Sequence, residues 1–321
     1  MQPLLRHYLF AAALKQKKKP AHFAQYVADE VAYYKEHRYN ETEDQVLYDL
    51  YQVELPSRIM DYMTACHDSV TSFLMATVLD ASAQWRLDRS LPLSTLHELY
   101  ARLLHDSHAV SDGLSVAFLL QYSPVTPDEV AEHIGTRLLR MGQYTEAITW
   151  LDKVSDSYLR TMAITPYLLN RSLPRDLFTH HVTCDEDTAK APFRPVKKEF
   201  AAQLLKLKEE IALTTDDEQK ASLALKMAGW LFQASPAGDC WAISEYYRSG
   251  CDLHRNELNE EAIHYLRLAL QLTHQYDTQV TCYEGLAAIP CASNINDGYP
   301  LSYDYELKKW VFHPKDTQRE A

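Results

Sequence analysis

The stretch from Asp128 to Val154, DEVAEHIGTRLLRMGQYTEAITWLDKV, constrains the fold more than any other part of this chain. It is entered through Thr126-Pro127-Asp128-Glu129. There a hydroxyl can cap a helix, proline suits the first turn, and two acids meet the positive end of the helix dipole. Ile134, Gly135 and Leu138 share one face of the helix that follows, which runs to Met141 and ends at Gly142. Tyr144 leads into a second helix on which Ala147, Leu151 and Val154 share a face. Gly135 and Ala147, twelve residues apart, are small and let two antiparallel helices approach closely, while their larger neighbours fill the groove. The stretch predicts a helical hairpin, and such a hairpin must bury its apolar face against further helices.

Composition agrees with an all-helical chain. Only 8 of the 321 residues are Gly, where average usage of about 7% gives roughly 22. Scarce Gly disfavours tight β-turns, and no segment alternates with period two well enough to predict a sheet. Hydrophobic residues make up 46%, enough to bury substantial surface. The formal net charge of −12 argues against a nucleic-acid-binding domain, which needs Lys and Arg to neutralise phosphates. No apolar run reaches the roughly 18 residues of a membrane span. In MQPLLRHYLFAAALKQKKKP the apolar core from Tyr8 to Leu14 is short, and its lysines follow rather than precede it. This predicts a first amphipathic helix and no signal peptide.

Further helices are expected over 3–15, over 21–38 and in a broken run from Pro56 with an interruption near Cys66. Ser94–Leu104, Gly113–Tyr122 and Asp156–Ile164 complete the first array. The pattern then fails from Thr165 to Pro195, where Pro166, Pro174, Pro192 and Pro195 accompany an acidic run. A loop this long is either functional or a module boundary. Helices resume over Lys197–Leu213, Asp217–Gln233, Cys240–Leu253, Asn259–Tyr276 and Val280–Ile289. The expected organisation is therefore an N-terminal helical array at 1–164, a linker at 165–195, a C-terminal array at 196–289 and an irregular aromatic tail at 290–321.

The small residues at 135 and 147, the Gly-x-Tyr turn at 142–144 and the apolar residues four and seven beyond Ala147 resemble the tetratricopeptide repeat. Val154 stands where that family usually has Ala. CDLHRNELNEEAIHYLRLALQL carries a degenerate second copy, with Gly250 and Ala262 again twelve apart and Leu266 and Ala269 following. The two copies are offset by 115 residues, from Ala147 to Ala262, which is not a multiple of 34. The expected fold is thus all-α, an irregular α-solenoid of antiparallel helix pairs. From 128 to 289 the order of segments also resembles the C-terminal half of uncharacterised exported repeat proteins of gut Bacteroidetes. That likeness implies a cell-envelope or exported location for a full-length protein and brings no activity or site residues with it.

Motifs for chemistry are sparse. The sequence contains no GxGxxG, P-loop, GxSxG, HExxH or CxxC. His180, His181 and Cys184, with Asp185 and Asp187, form the densest metal-ligand cluster and are the weak metal candidates. His105 and His108, three apart beside Asp106 and able to ligate on a helix, read as solvated polar residues near a helix end, and Cys66-His67-Asp68 reads as ordinary polar positions because adjacent helical residues point apart. The six Cys read as buried thiols, with Cys240–Cys251 and Cys282–Cys291 the pairs to test in an exported protein. Lys190, Arg194, Lys197, Lys198, Lys206 and Lys208 form a basic stretch in an acidic chain. Tyr246, Tyr247, Tyr299, Tyr303, Tyr305 and Trp310 are the candidates for a binding surface.

These features predict a non-enzymatic scaffold that binds a protein or peptide, or a glycan, on a concave face, with no cofactor and no nucleic acid. Two alternatives stand beside it. One is a helical-toroid hydrolase using paired carboxylates or a loop-borne metal. The other is a structural part of a larger exported cell-envelope protein.

Overall fold

The computed structural model describes residues 55–66, 68–79, 86–89, 91–105, 110–111, 114–115, 123–170, 178, 192–246, 256–289, 301–304 and 309–312, with helical positions at Ala12, Asp29 and Ala32. These residues are predominantly helical, in agreement with the all-α expectation. No helix among them is long and apolar enough to cross a membrane. The chain divides into two compact units that interleave along the sequence. One comprises Met1–Arg137 and Thr149–Leu159, the other Leu138–Ile148 and Arg160–Ala321.

In the first unit α1 (Leu55–Ala65) packs on α2 (Ser69–Leu79). The break between them falls where the sequence suggested it, and Asp68 explains it. Its carboxylate accepts from the Thr71 amide at 3.0 Å and the Thr71 hydroxyl at 2.8 Å, capping α2. After the short α3 (Arg86–Arg89), α4 (Leu93–His105) packs on α2. Helix α4 starts behind Pro92, whose carbonyl accepts from Thr95 and Leu96, so Ser94 lies within the helix rather than capping it. Ile59, Met63, Val70, Phe73, Leu74, Val78, Leu87, Leu96 and Leu99 form the core.

The expected helix from Gly113 to Tyr122 is corrected at Leu114–Ser115, and its other residues lie outside the described ones. Val110–Ser111 (β1) pairs antiparallel with Leu114–Ser115 (β2), with Val110 opposite Ser115. Strands of two residues are too short to register as alternation in the sequence.

The hairpin that organised the sequence reading consists of α5 (Pro127–Arg140) and α6 (Tyr144–Leu151). Thr126 caps α5 through its hydroxyl, which accepts from Glu129 N at 3.2 Å. Gly142 closes the helix with φ +70, a left-handed conformation suited to glycine. Where α5 begins, Asp128 accepts from Ser155 N at 3.1 Å and Ser155 Oγ at 2.5 Å, just beyond the end of α6. Ser155 in turn accepts from Tyr158 N at 3.2 Å and so caps α7 (Asp156–Thr161). A Cβ on Gly135 would lie 2.6 Å from Leu151 Cγ, so the small residue is what admits Leu151.

In the second unit α8 (Thr165–Asn170) occupies the start of the expected loop. Pro166 stands in its first turn, where proline initiates a helix rather than breaking one. Helices α9 (Val196–Leu213), α10 (Asp217–Ala234), α11 (Glu257–Leu272) and α12 (Tyr276–Ala288) follow, with α10 packed on the other three. Ala221, Ala224 and Ala228 on α10, and Ala262 and Ala269 on α11, are fully buried, and such small residues let helix axes come close. Glu218, in the first turn of α10, accepts from Thr273 Oγ1 at 2.7 Å and His274 N at 2.6 Å behind α11.

The predicted helix Cys240–Leu253 is a second correction. Over the described residues 240–246 the chain forms a 3-10 turn, Trp241–Ile243, and then runs irregularly to Tyr246, while 247–253, Gly250 among them, lie outside the described residues. Polar side chains hold the segment. Ser244 Oγ donates to Ala234 O at 2.5 Å, and Asn256 Nδ2 donates to Ser244 Oγ at 3.3 Å and to Glu245 Oε1 at 3.1 Å. Asn256 and Asn259 form the capping box of α11. Within the expected irregular tail at 290–321, Leu301–Asp304 (β3) pairs antiparallel with Lys309–Phe312 (β4), a correction at those positions alone, since the rest of the tail lies outside the described residues. Tyr303 falls opposite Trp310 in that register, and paired aromatic positions favour a hairpin.

Candidate binding surface

The sequence candidates disperse. His180, His181, Cys184, Tyr247, Tyr299 and Tyr305 lie outside the described residues, as do His108, Lys190, Cys251 and Cys291. Tyr303 and Trp310 are placed only as opposed positions of β3 and β4. Tyr246 is half-buried, and Lys197, itself buried, lies over its ring with Nζ 4.4 Å from the centroid. Cys240 and Cys282 are buried, and burial pushes the Cys282 thiol up to about 11. Among the described residues no cluster of three or more His, Cys, Asp or Glu is arranged to hold a metal.

Among the described residues the basic stretch is divided among local ion pairs. Arg194 pairs with Glu199 at 2.7 Å, Lys206 with Glu210 at 3.7 Å and Lys208 with Glu261 at 3.9 Å. Glu261 also receives the Tyr144 hydroxyl at 2.6 Å. Burial, then the neighbouring Glu261 charge, holds that phenol well above the ordinary tyrosine range. Arg140 faces Glu245 at 3.8 Å, both almost fully buried. These groups satisfy one another inside the second unit and have the character of structural fastenings.

The first unit presents a different arrangement. His97 and Tyr100, three apart on α4, turn toward Trp150 at the end of α6. The His97 and Trp150 rings lie 4.8 Å apart, and Tyr100 meets Trp150 edge-on at 4.9 Å. Trp150 and Tyr100 are half-buried, and His97 is exposed. A tight turn follows α6, in which Lys153 N donates to Trp150 O at 3.1 Å. That turn brings Lys153 Nζ to 4.9 Å from the Trp150 ring centroid and 5.6 Å from that of Tyr100.

The surroundings are electronegative. Partial burial raises the Tyr100 phenol, and the Asp128 charge raises it further. The nearby Tyr158 is raised by burial and then by Glu132, Glu129 and Asp128. Desolvation lowers His97 below the ordinary histidine value, so at neutral pH it is an uncharged aromatic ring. The aromatic group can stack on a ring, bury an apolar side chain, or attract a cation through its π faces.

Sequence reasoning missed this surface. The spacing of His97 and Tyr100 was visible, flanking the buried Leu96 and Leu99. That α4 lies beside the end of α6 is a tertiary fact with no local signal. No protein-family model, curated protein or solved structure matches the chain.

Proposed function

We propose that this chain is a non-enzymatic helical-repeat scaffold, built from antiparallel helix pairs of the tetratricopeptide kind, that binds a peptide segment of a partner protein. The observation that carries the reading is the half-exposed cluster of His97, Tyr100 and Trp150. Trp and Tyr supply rigid amphipathic contact area and dominate binding energy at interfaces. The Gly135–Leu151 contact supports the repeat reading, because it places a small residue where the second helix of a pair must approach. Helical-repeat arrays offer extended surfaces suited to peptides. The likeness to exported repeat proteins adds a cell-envelope setting, which fractionation of source cells tests directly.

The binding reading is tested by probing the full chain, and its Trp150→Ala and Trp150→Phe variants, against an array of random peptides and an array of glycans. The expected result is a set of peptide signals that Trp150→Ala abolishes and Trp150→Phe weakens. Signals confined to glycans, or peptide signals indifferent to Trp150, would overturn it.

A further inference from the structure

We infer that His97, Tyr100 and Trp150 form a receptor for the ammonium group of a lysine side chain on a partner peptide, and that Lys153 of the chain itself holds this position in the free protein. The inference rests on the peptide-binding reading above and names the chemistry of that same surface.

Geometry comes first. A cation is attracted to an aromatic face when it lies within about 6 Å of the ring centroid, most strongly over Trp. Lys153 Nζ meets that condition over two rings at once, 4.9 Å from Trp150 and 5.6 Å from Tyr100. Its position therefore marks where an incoming ammonium would sit. The residue is exposed and follows the end of α6. Its long side chain can leave the rings for water, where a lysine ammonium is strongly hydrated.

Charge comes second. The carboxylate of Asp128 acts on Tyr100, and the whole chain carries a net charge of −12, so a basic partner is favoured over an acidic one. Asp128 is fixed by two hydrogen bonds from Ser155, which makes its contribution to the field permanent. His97 contributes an uncharged ring and does not repel a cation at neutral pH. A sugar would also stack on Trp150, but stacking gives no reason for a lysine of the chain to cover both rings.

Lys153 then acts as an internal competitor. A partner's lysine must displace it, so removing it should raise affinity, whereas a residue that contacts the ligand would lower affinity when removed. The test uses peptides in one Gly/Ser frame carrying lysine, trimethyl-lysine or norleucine at the centre. Binding to the full chain is followed by NMR through the Trp indole N–H signals, with Trp150 assigned from Trp150→Phe.

The lysine and trimethyl-lysine peptides are expected to shift the Trp150 signal and to bind at least about 5-fold more tightly than the norleucine peptide. Lys153→Ala should tighten the cationic peptides by about 5-fold, with the norleucine peptide still the weaker binder. Trp150→Phe, which keeps an aromatic ring, should weaken them. Equal binding of norleucine, or a Lys153→Ala variant that binds no better, overturns the inference. If that happens while array peptides still depend on Trp150, the scaffold reading survives. If cationic peptides bind as expected but no array peptide depends on Trp150, the scaffold reading fails and the cation site stands.

Discussion

Replacing Gly135 with Ala adds one methyl group, and the structure states what that methyl meets. A Cβ there would lie 2.6 Å from Leu151 Cγ, 2.8 Å from Leu151 Cδ2 and 3.3 Å from Leu151 N. Carbon atoms rest about 3.5–4.0 Å apart, so Leu151 must retreat by roughly 1 Å. It is a core residue, 5% exposed, with little room to do so. Overpacking of this kind costs about 1–3 kcal/mol. Against it stands the better helix propensity of Ala, worth about 1 kcal/mol within a helix. Gly135→Ala should therefore destabilise by about 0–2 kcal/mol, and Gly135→Leu by considerably more.

The sharper test is a double-mutant cycle. Leu151→Ala alone should cost about 2–5 kcal/mol. In that background the obstruction is gone, and Gly135→Ala should become stabilising by about 1 kcal/mol. The coupling energy is then about 1–3 kcal/mol, measurable from urea unfolding midpoints of the four proteins. A coupling below about 0.5 kcal/mol would show that the two residues do not compete for space and would refute the packing argument for this hairpin.

Gly238→Ala places a Cβ 2.2 Å from Gln233 O and 2.3 Å from Gln233 Cα, backbone atoms that cannot swing aside, so a loss of about 3 kcal/mol is expected in the same urea assay. Tyr144→Phe keeps the ring but removes the hydroxyl from Glu261, and should cost about 1.5–3 kcal/mol, with Glu261→Gln recovering none of it in combination. Alkaline stability should fall in two stages. Burial raises the Cys282 thiol from 9.0 to about 11, and burial with Glu261 raises Tyr265 from 10.0 to about 12. Each contribution is complete below the unfolded-state value and disappears as pH climbs to the folded-state value. Melting temperature should drop from about pH 9, more steeply above pH 10, and Cys282→Ala should flatten the first stage relative to wild type.

The start of α5 was legible because Thr126 precedes the apolar pattern and caps the helix, and Gly142 terminates α5 as glycine should, whereas Asp68, an ordinary polar position in the sequence, caps α2. Elements decided by distant contacts were not legible. The segment after Cys240 has helical composition, yet Ser244, Glu245 and Asn256 draw it into a hydrogen-bonded turn, and that outcome depends on Ala234 and on the start of α11. Pro166 was read as a breaker because the sequence around it offered no apolar period to complete a helix, whereas its place in the first turn of α8 is a favourable one. The aromatic candidates had the same weakness. Tyr246 was conspicuous beside Tyr247, but its ring is covered by Lys197. Trp150 was inconspicuous because nothing near it in sequence is aromatic except Tyr144, and its companions come from α4.

The hydrogen bond from Tyr144 to Glu261 spans 117 residues and has a consequence for synthesis of the chain. At about 5–20 residues per second, a ribosome delivers Glu261 roughly 6–23 s after Tyr144. For that interval the phenol, destined for burial, has no carboxylate to accept its hydrogen bond. The segment Leu138–Ile148 is thus made early and finished late, and a nascent chain stalled before residue 261 should expose it to proteases.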